Sequence, residues 1–134
     1  MTHLDTSFLV DLLREAAKGS KGPAHDGLEN LIDEELWVSV HVVCELAAGA
    51  ELSRNPEVER AKIDTLLGGV QIAYPDERFA PTYGRLLAWL QRRGDIIATM
   101  DLLIATSAVV DSAPIVTRNT KHFSRVPGLT VIDY

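Results

Sequence analysis

Cysteine is almost absent from this sequence: Cys44 is the only one in 134 residues. A single cysteine excludes an internal disulfide and a zinc cluster built from cysteines, and it fits a reducing compartment. The chain also lacks a run of about 18 apolar residues, which a transmembrane helix needs. Its N-terminus lacks the basic head and apolar stretch of a signal peptide. We therefore expect a cytoplasmic protein that does not enter a membrane.

An excess of basic residues is missing as well. Lysine and arginine together number 13 against 19 aspartates and glutamates, which gives a formal net charge of -6. This balance argues against broad, non-specific binding of nucleic acid, which typically uses a basic surface. It argues less against a nuclease with a carboxylate metal site, because such a site requires acids and the bound cation reverses the local field.

The apolar pattern alternates between strand-like and helix-like segments. Strands are predicted at Thr2–Asp5, Leu36–Val40, Val70–Ala73, Ala113–Thr117 and Leu129–Ile132. Helices are predicted at Thr6–Ala17, Pro23–Glu35, Val42–Leu52, Pro56–Leu67, Asp76–Arg93 and Thr99–Val110, with Thr99 as a candidate N-cap. No repeat or linker interrupts this series, so residues 1–134 are predicted to form a single domain. Its fold class is α/β, with three layers in which helices flank a mostly parallel five-stranded sheet.

Polar side chains follow several of the predicted strands. Asp5 ends the first strand, and Glu45 lies in the helix after the second. Asp101 lies in the first turn of the last helix, and Asn119 follows the fourth strand. Ligands of parallel α/β sheets bind beyond the carboxyl ends of the strands, so we expect these side chains near one edge. The acids have apolar neighbours, and a buried carboxylate is unfavourable unless a cation compensates it. Oxygen ligands favour Mg²⁺ or Mn²⁺.

Each acid also has a simpler interpretation. Asp5 would cap the first helix, Asp101 would complement the helix dipole, and Glu45 would pair with a buried arginine or lysine. These interpretations are less favoured jointly than singly, because all three acids point to one edge of the sheet. Near them, Cys44 is predicted to be a core residue and Asp11 a surface residue.

Four segments of the sequence, taken in order, resemble the PIN-domain ribonucleases, and specifically the VapC-type toxins of bacterial toxin–antitoxin pairs. LDTSFLVDLL is similar to the family's first strand and aspartate, and VSVHVVCELAAGA to its second strand and Glu-Leu helix. GDIIATMDLLIATSAV is similar to its Gly-x-x-Ile and Asp-Leu-Leu-Ile-Ala segment, and IVTRNTKHFSRVPGLTVIDY to its closing strand–turn–strand. The resemblance covers nearly the whole chain.

The resemblance implies a PIN-like fold and a Mg²⁺-dependent endoribonuclease. Asp5 and Asp101 match the family's metal ligands, and Glu45 matches its third acid, which would act through water. Asn119 stands where many PIN domains carry a fourth acid, and this departure favours one tightly held cation over two. Bound Mg²⁺, or Mn²⁺ in its place, would activate a water against the scissile phosphate.

Residues beside these acids are candidates for supporting roles. The hydroxyls of Thr6 and Thr117 are expected to bond the ligand carboxylates, with local backbone capping as an equal alternative. Arg118, Lys121 and Arg125 are candidates for contacts with an RNA backbone, with a solvated loop as the alternative.

The resemblance also implies partners: a VapB-type antitoxin, an RNA substrate and a second copy of the chain in a homodimer. The helices before Gly68 are candidates for a groove that takes an antitoxin helix. The alternative function is a degenerate PIN-like domain that binds a protein partner or RNA without cleavage, and Asn119 motivates it. A phosphoacceptor receiver domain is disfavoured, because the third strand ends in Tyr74-Pro75 rather than in an aspartate.

Overall fold

The strands of the protein form one sheet in which all neighbours are parallel. The structure, a computed structural model, describes every residue from Met1 to Tyr134. The strands are β1 (Thr2–Leu4), β2 (Leu36–Ser39), β3 (Gln71–Ala73), β4 (Ile115–Val116) and β5 (Val131–Ile132). Their order across the sheet is β3-β2-β1-β4-β5, so β1 lies at the centre. The predicted α/β class is confirmed, and the sheet is entirely rather than mostly parallel.

Helices connect the strands and flank the sheet. They are α1 (Thr6–Lys18), α2 (Pro23–Glu29), α3 (Val40–Glu51), α4 (Pro56–Leu67), α5 (Phe79–Arg93), α6 (Thr99–Val110) and α7 (Thr120–Phe123). The first helix buries Phe8, Leu9 and Leu12, whose spacing places them on one face. It ends at Gly19, which adopts the left-handed conformation at φ 68°. None of the helices is both long and apolar enough to span a membrane.

The hydrophobic core is centred on the middle strands and on α6. Leu4, Val38 and Ile115 come from β1, β2 and β4 and are fully buried. The sixth helix is apolar on most of its circumference and buries residues such as Leu102 and Ile104. A helix of this composition belongs inside a protein, because every face loses water on folding. The core therefore fixes α6, and with it the first turn of that helix, against the sheet.

Two helices are shorter than predicted. Helix α2 ends at Glu29 rather than at Glu35, because the chain continues in three-residue turns in which Leu31 and Ile32 donate to the carbonyls of Leu28 and Glu29. Helix α5 begins at Phe79 rather than at Asp76. The Asp76 carboxylate accepts from the backbone and guanidinium of Arg78, which stabilises a turn before the helix.

Other boundaries differ from the prediction by local effects. Helix α3 starts at Val40, two residues early, because the Ser39 hydroxyl caps it by accepting from the Val42 N–H. The predicted cap at Thr99 is wrong: Ala98 holds the N-cap position, and Thr99 is already helical. Helix α7 was not predicted, because a single turn is too short to show periodicity. Strand ends shift by one or two residues.

The prediction for Cys44 is wrong: this residue is exposed rather than in the core.

A buried histidine links the central strand to the end of α6. The imidazole Nε2 of His3 lies 2.7 Å from Oδ2 of Asp111, and only 1% of the His3 side chain is exposed. Its Nδ1 is buried without a partner, which suits the bare acceptor of a neutral ring better than an N–H. Burial lowers the pKa of His3 below its ordinary value of 6.5, and this effect outweighs the raising effect of Asp111.

This histidine makes stability depend on pH. Because the unfolded chain protonates His3 more readily than the folded protein, the free energy of unfolding is expected to fall as the pH is lowered below about 6.5, and His3 contributes at most about 1.4 kcal/mol per pH unit. Urea unfolding between pH 7.5 and 5 measures the slope. His3→Gln should reduce this slope, with a remainder from His41, whose pKa burial also lowers. His122→Gln, at an exposed position, should retain the full slope. An unchanged slope in His3→Gln would contradict the assignment.

Candidate active site

The sheet order places a crevice between β1 and β4. These strands are neighbours, but the chain leaves β1 towards β2 on one side and leaves β4 towards β5 on the other. At such a reversal the connections diverge and open a cleft at the carboxyl edge of the sheet. Asp5 follows β1 directly, and the segment Thr117–Asn119 follows β4. Residues more than a hundred positions apart are thereby brought together.

The cleft at this edge is entirely polar in its lining. It has a volume of about 330 Å³, and no apolar residue lines it. The lining residues follow β1 and β4 or lie in the first turns of α1 and α6 and the second turn of α3; they are Asp5, Thr6, Ser7, Glu45, Asp101, Arg118 and Asn119. All four members of the predicted catalytic set, three acids and an amide, therefore share one cavity.

Asp5 is held by two hydroxyl groups. Although Asp5 occupies the N-cap position of α1, its side chain makes no capping bond, so simple capping does not explain it. Its Oδ2 accepts from Oγ of Ser7 at 2.9 Å and from Oγ1 of Thr117 at 2.7 Å. Both bonds go to the same oxygen. The other oxygen, Oδ1, has no hydrogen bond within the protein and is free for a ligand.

Glu45 is held in a similar way on the opposite wall. It lies in the second turn of α3, and its Oε1 accepts from the Thr6 hydroxyl at 2.6 Å. It forms no ion pair with a lysine or arginine, which removes the simpler interpretation of a buried salt bridge. Thr6 therefore contacts one acid of the set, and Thr117 contacts another.

The surroundings of Asp101 in the cleft shift its pKa. Burial raises the pKa of Asp101, and the negative charges of Asp5 and Glu45 raise it further. His122 acts in the opposite direction on the pKa of Asp101, although it is itself exposed. The raised pKa means that the three acids repel one another across the cleft. A cation placed among them would relieve that repulsion.

The three basic residues that follow β4 lie in different surroundings. Arg118 lines the cleft, whereas Lys121 is exposed on α7 and is not part of the lining. Arg125 donates from its guanidinium to the carbonyl of Ile96 at 2.9 Å. Asn119 stands at the N-cap position of α7 without a side-chain capping bond, and its backbone N–H donates to Thr117 Oγ1.

The donor chemistry of the cleft fits a hard divalent cation. Carboxylate and amide oxygens are the ligands that Mg²⁺ and Mn²⁺ prefer, and no sulfur or apolar group intrudes. However, no three acidic, histidine or cysteine side chains of the protein converge on one point as a ready-made cluster. Asp5 and Glu45 each accept a hydrogen bond from a neighbouring hydroxyl through one carboxylate oxygen. The composition of the cleft is thus compatible with a divalent cation, although its acids do not form a closed metal site.

Sequence reasoning missed three residues near the acids. Ser7 donates to Asp5 and accepts from the backbone N–H of Arg118, and its position two residues after Asp5 was the available signal. Asp11 was predicted to be a surface residue, but its side chain is only 15% exposed. It accepts hydrogen bonds from Arg118 and from the hydroxyl of Tyr134, which comes from the far end of the chain. A polar residue within the apolar pattern of α1 was the signal for Asp11.

The Thr117 hydroxyl is expected to stabilise the fold through its contacts. Thr117→Val preserves the shape but removes a donor to Asp5 and an acceptor for the Asn119 N–H, so it should lower the free energy of unfolding by about 1–3 kcal/mol. Thr106→Val is the matched control, because Thr106 is equally buried but bonds only the carbonyl of Leu102. Urea unfolding compares the two, and an equal loss would show that the network around Asp5 adds nothing.

Comparison with known proteins identifies the family. The PIN domain family matches residues 3–129. Ribonuclease VapC2 of Rickettsia felis is 36% identical over 97 residues, which are 72% of either chain. The tRNA(fMet)-specific endonuclease VapC of Salmonella typhimurium is 30% identical over 105 residues, 78% of this chain and 80% of that protein. The crystal structure of VapBC2 from Rickettsia felis bound to a DNA fragment from their promoter is similar with a TM-score of 0.88 and 30% identity, covering 99% of this chain and 98% of that one. The chain therefore belongs to the PIN-domain family and, within it, to the VapC-type ribonucleases.

Proposed function

We propose that the protein is the ribonuclease toxin of a toxin–antitoxin pair and hydrolyses RNA phosphodiester bonds with Mg²⁺, or Mn²⁺ in its place. The observation that carries the proposal is the shared cleft of Asp5, Glu45 and Asp101, in which the lining is wholly polar. Residues 1–134 would act as one PIN-like domain, and the RNA of the cytoplasm would supply the substrate. Homodimerisation remains a prediction from the resemblance alone.

The acids are assigned distinct parts in holding the cation. Asp5 and Asp101 would bind it directly, since Oδ1 of Asp5 has no partner within the protein and the pKa of Asp101 is raised by burial and then by the neighbouring charges of Asp5 and Glu45. Glu45 would contribute through water, because the Thr6 hydroxyl already engages one of its oxygens. When bound, a divalent cation supplies an acidified water and offsets negative charge on the phosphate. The neutral Asn119 favours one cation over two.

The other side chains of the cleft would orient Asp5, the attacking water and the phosphate. Ser7 and Thr117 orient the Asp5 carboxylate through its Oδ2, so that Oδ1 stays directed to the ligand. The free oxygen of Glu45 is suited to orient the attacking water and to accept its proton. The Asn119 amide would donate to a phosphate oxygen, and because it is uncharged it does not repel that oxygen as a fourth acid would.

Asp101 provides the direct test of this mechanism. Asp101→Asn removes a charge from the cation site at nearly constant shape, so RNA cleavage should fall by at least about a hundredfold while the unfolding transition is retained. The assay measures cleavage of initiator tRNA and total RNA with Mg²⁺, Mn²⁺ and EDTA, and EDTA should abolish it.

Asp64→Asn is the matched control, because Asp64 is an exposed acid on α4 outside the cleft. It should cleave at the wild-type rate. If Asp101→Asn also cleaves at that rate, the proposed mechanism is wrong. If no RNA is cleaved by the wild type but a protein partner binds, the non-cleaving PIN-like domain becomes the better description.

A VapB-type antitoxin would bind the apolar groove beside the cleft. A depression of about 390 Å³ between α1, α2 and α4 is lined mainly by apolar side chains, among them Leu13, Ala17 and Leu66. A second depression shares Leu13 and Ala17 with it and extends to Thr6 and Glu45 at the cleft. An amphipathic helix in the groove would therefore continue into a segment that covers the acids. Support for such a partner also comes from the similarity to the VapBC2 structure.

Ala17 tests the position of this groove. Ala17 is exposed and lines both depressions, so Ala17→Arg should block the partner without disturbing the core. Co-expression with the protein encoded by the neighbouring reading frame should inhibit RNA cleavage by the wild type but not by Ala17→Arg. Ala80→Arg, at an exposed alanine of α5, should remain inhibited. If co-expression also inhibits RNA cleavage by Ala17→Arg, the partner binds at a site other than this groove.

A further inference from the structure

Arg118 is tied to the cleft by its backbone. Its N–H donates to Oγ of Ser7 at 3.2 Å, and the same Ser7 hydroxyl donates to Oδ2 of Asp5 at 2.9 Å. Arg118 also follows Thr117, whose hydroxyl contacts Asp5. The backbone of this arginine is therefore set by the network that orients the first acid of the site. Arg118 lines both the cleft and the neighbouring depression that contains Asp11, and 58% of its side chain is exposed.

The guanidinium is fixed at its other end by a largely buried acid. Nη1 of Arg118 donates to both carboxylate oxygens of Asp11, at 2.9 and 3.0 Å. Asp11 is itself held, because the Tyr134 hydroxyl donates to its Oδ2 at 2.7 Å. The Tyr134 ring packs edge-on against the buried Phe8, with ring centroids 4.9 Å apart. A packed aromatic ring thus anchors the acid, and the acid anchors the arginine.

This arrangement leaves most of the guanidinium free. Only Nη1 is engaged with Asp11, so the N–H groups of Nε and Nη2 have no partner in the protein. Those groups form one of the planar forks with which arginine binds phosphate. Among the basic residues after β4, Arg118 alone lines the cleft. The acidic cleft therefore has one pre-positioned anion-binding group at its rim.

We propose that Arg118 binds a backbone phosphate of the RNA strand beside the one that is cleaved, and that Asp11 and Tyr134 are positioning residues that hold it there. The proposal rests on the proposed function, since it concerns the substrate of the same cleft. It assigns Arg118 to strand binding rather than to the chemical step, because the guanidinium is held by Asp11, which lies outside the lining of the cleft, and Asp11 neutralises part of its charge. An otherwise acidic protein would in this way bind RNA through a localised contact.

Arg118→Ala tests the phosphate contact. It should raise KM for RNA cleavage about tenfold or more and change kcat by less than about threefold, because a charge-assisted bond to the bound strand is lost. Anisotropy of a labelled single-stranded RNA oligonucleotide, measured in an Asp101→Asn background, should give a weaker Kd. The slope of log Kd against log salt should decrease by about 0.7, the value for one phosphate contact on a single strand. Arg118→Lys should be intermediate, since it keeps the charge but not the fork.

Arg78→Ala is the matched control. Arg78 is also 58% exposed and also pairs with an aspartate, Asp76, but it lies outside the cleft. It should leave KM, Kd and the salt slope unchanged. An unchanged KM in Arg118→Ala, or a loss confined to kcat, overturns the proposal; an unchanged KM is also the result expected if Arg118 serves a protein partner. If the wild type does not cleave RNA but Arg118→Ala still weakens binding of the RNA oligonucleotide, the proposed function fails while this inference stands.

A double-mutant cycle tests the positioning part. Asp11→Asn and Tyr134→Phe should each raise KM about threefold, and neither should add to the effect of Arg118→Ala when the two changes are combined. Urea unfolding of each variant separates this coupling from a loss of stability. If Asp11→Asn raises KM as much in the Arg118→Ala background as in the wild type, Asp11 does not act through Arg118.

Discussion

The pairing of β1 with β4 is the interaction on which the rest of the structure depends. It joins His3 and Leu4 to Ile115 and Val116 across a parallel ladder, and the Asp5 N–H extends it by donating to the Val116 carbonyl. Since the connections on either side of this pair run in opposite directions, the carboxyl edge opens between them. The functional cleft is thus a consequence of strand order, and the residues that follow the two central strands become its walls.

The second constraint is the repulsion among the acids placed in those walls. Burial in the cleft raises the pKa of Asp101, and the charges of Asp5 and Glu45 raise it further, so the negative charge needs compensation. The protein supplies part of it through hydroxyl groups, as Ser7, Thr6 and Thr117 donate to the carboxylates. These bonds orient the carboxylates of Asp5 and Glu45 while leaving one oxygen of each for a ligand. Orientation by neutral donors, with the charge left available, is the arrangement that a site for a hard cation requires.

Under the proposed function, different surfaces around the cleft would bind the protein partner and the RNA. The apolar groove between α1, α2 and α4 meets the cleft near Glu45 and Thr6, which suits a protein partner that covers the acids. Arg118 stands at the cleft with its free fork, which suits a phosphate chain. Both surfaces use α1, so under the proposed function the helix that follows Asp5 would contact both the partner and the substrate.

Periodicity and local motifs in the sequence were sufficient for the α/β class, the alternation of elements and the candidate acids, because strand and helix periods and short motifs around Asp5, Glu45 and Asp101 are local properties. They were insufficient for the short helix α7 and the ends of α2 and α5, where a few turn hydrogen bonds outweigh propensity. Only the tertiary structure could show that Asp11 is largely buried and bonded to Arg118 and Tyr134, since those residues lie more than a hundred positions away along the chain. Contacts of that range depend on how the strands are ordered in the sheet, and the pattern of any one segment carries no record of that order.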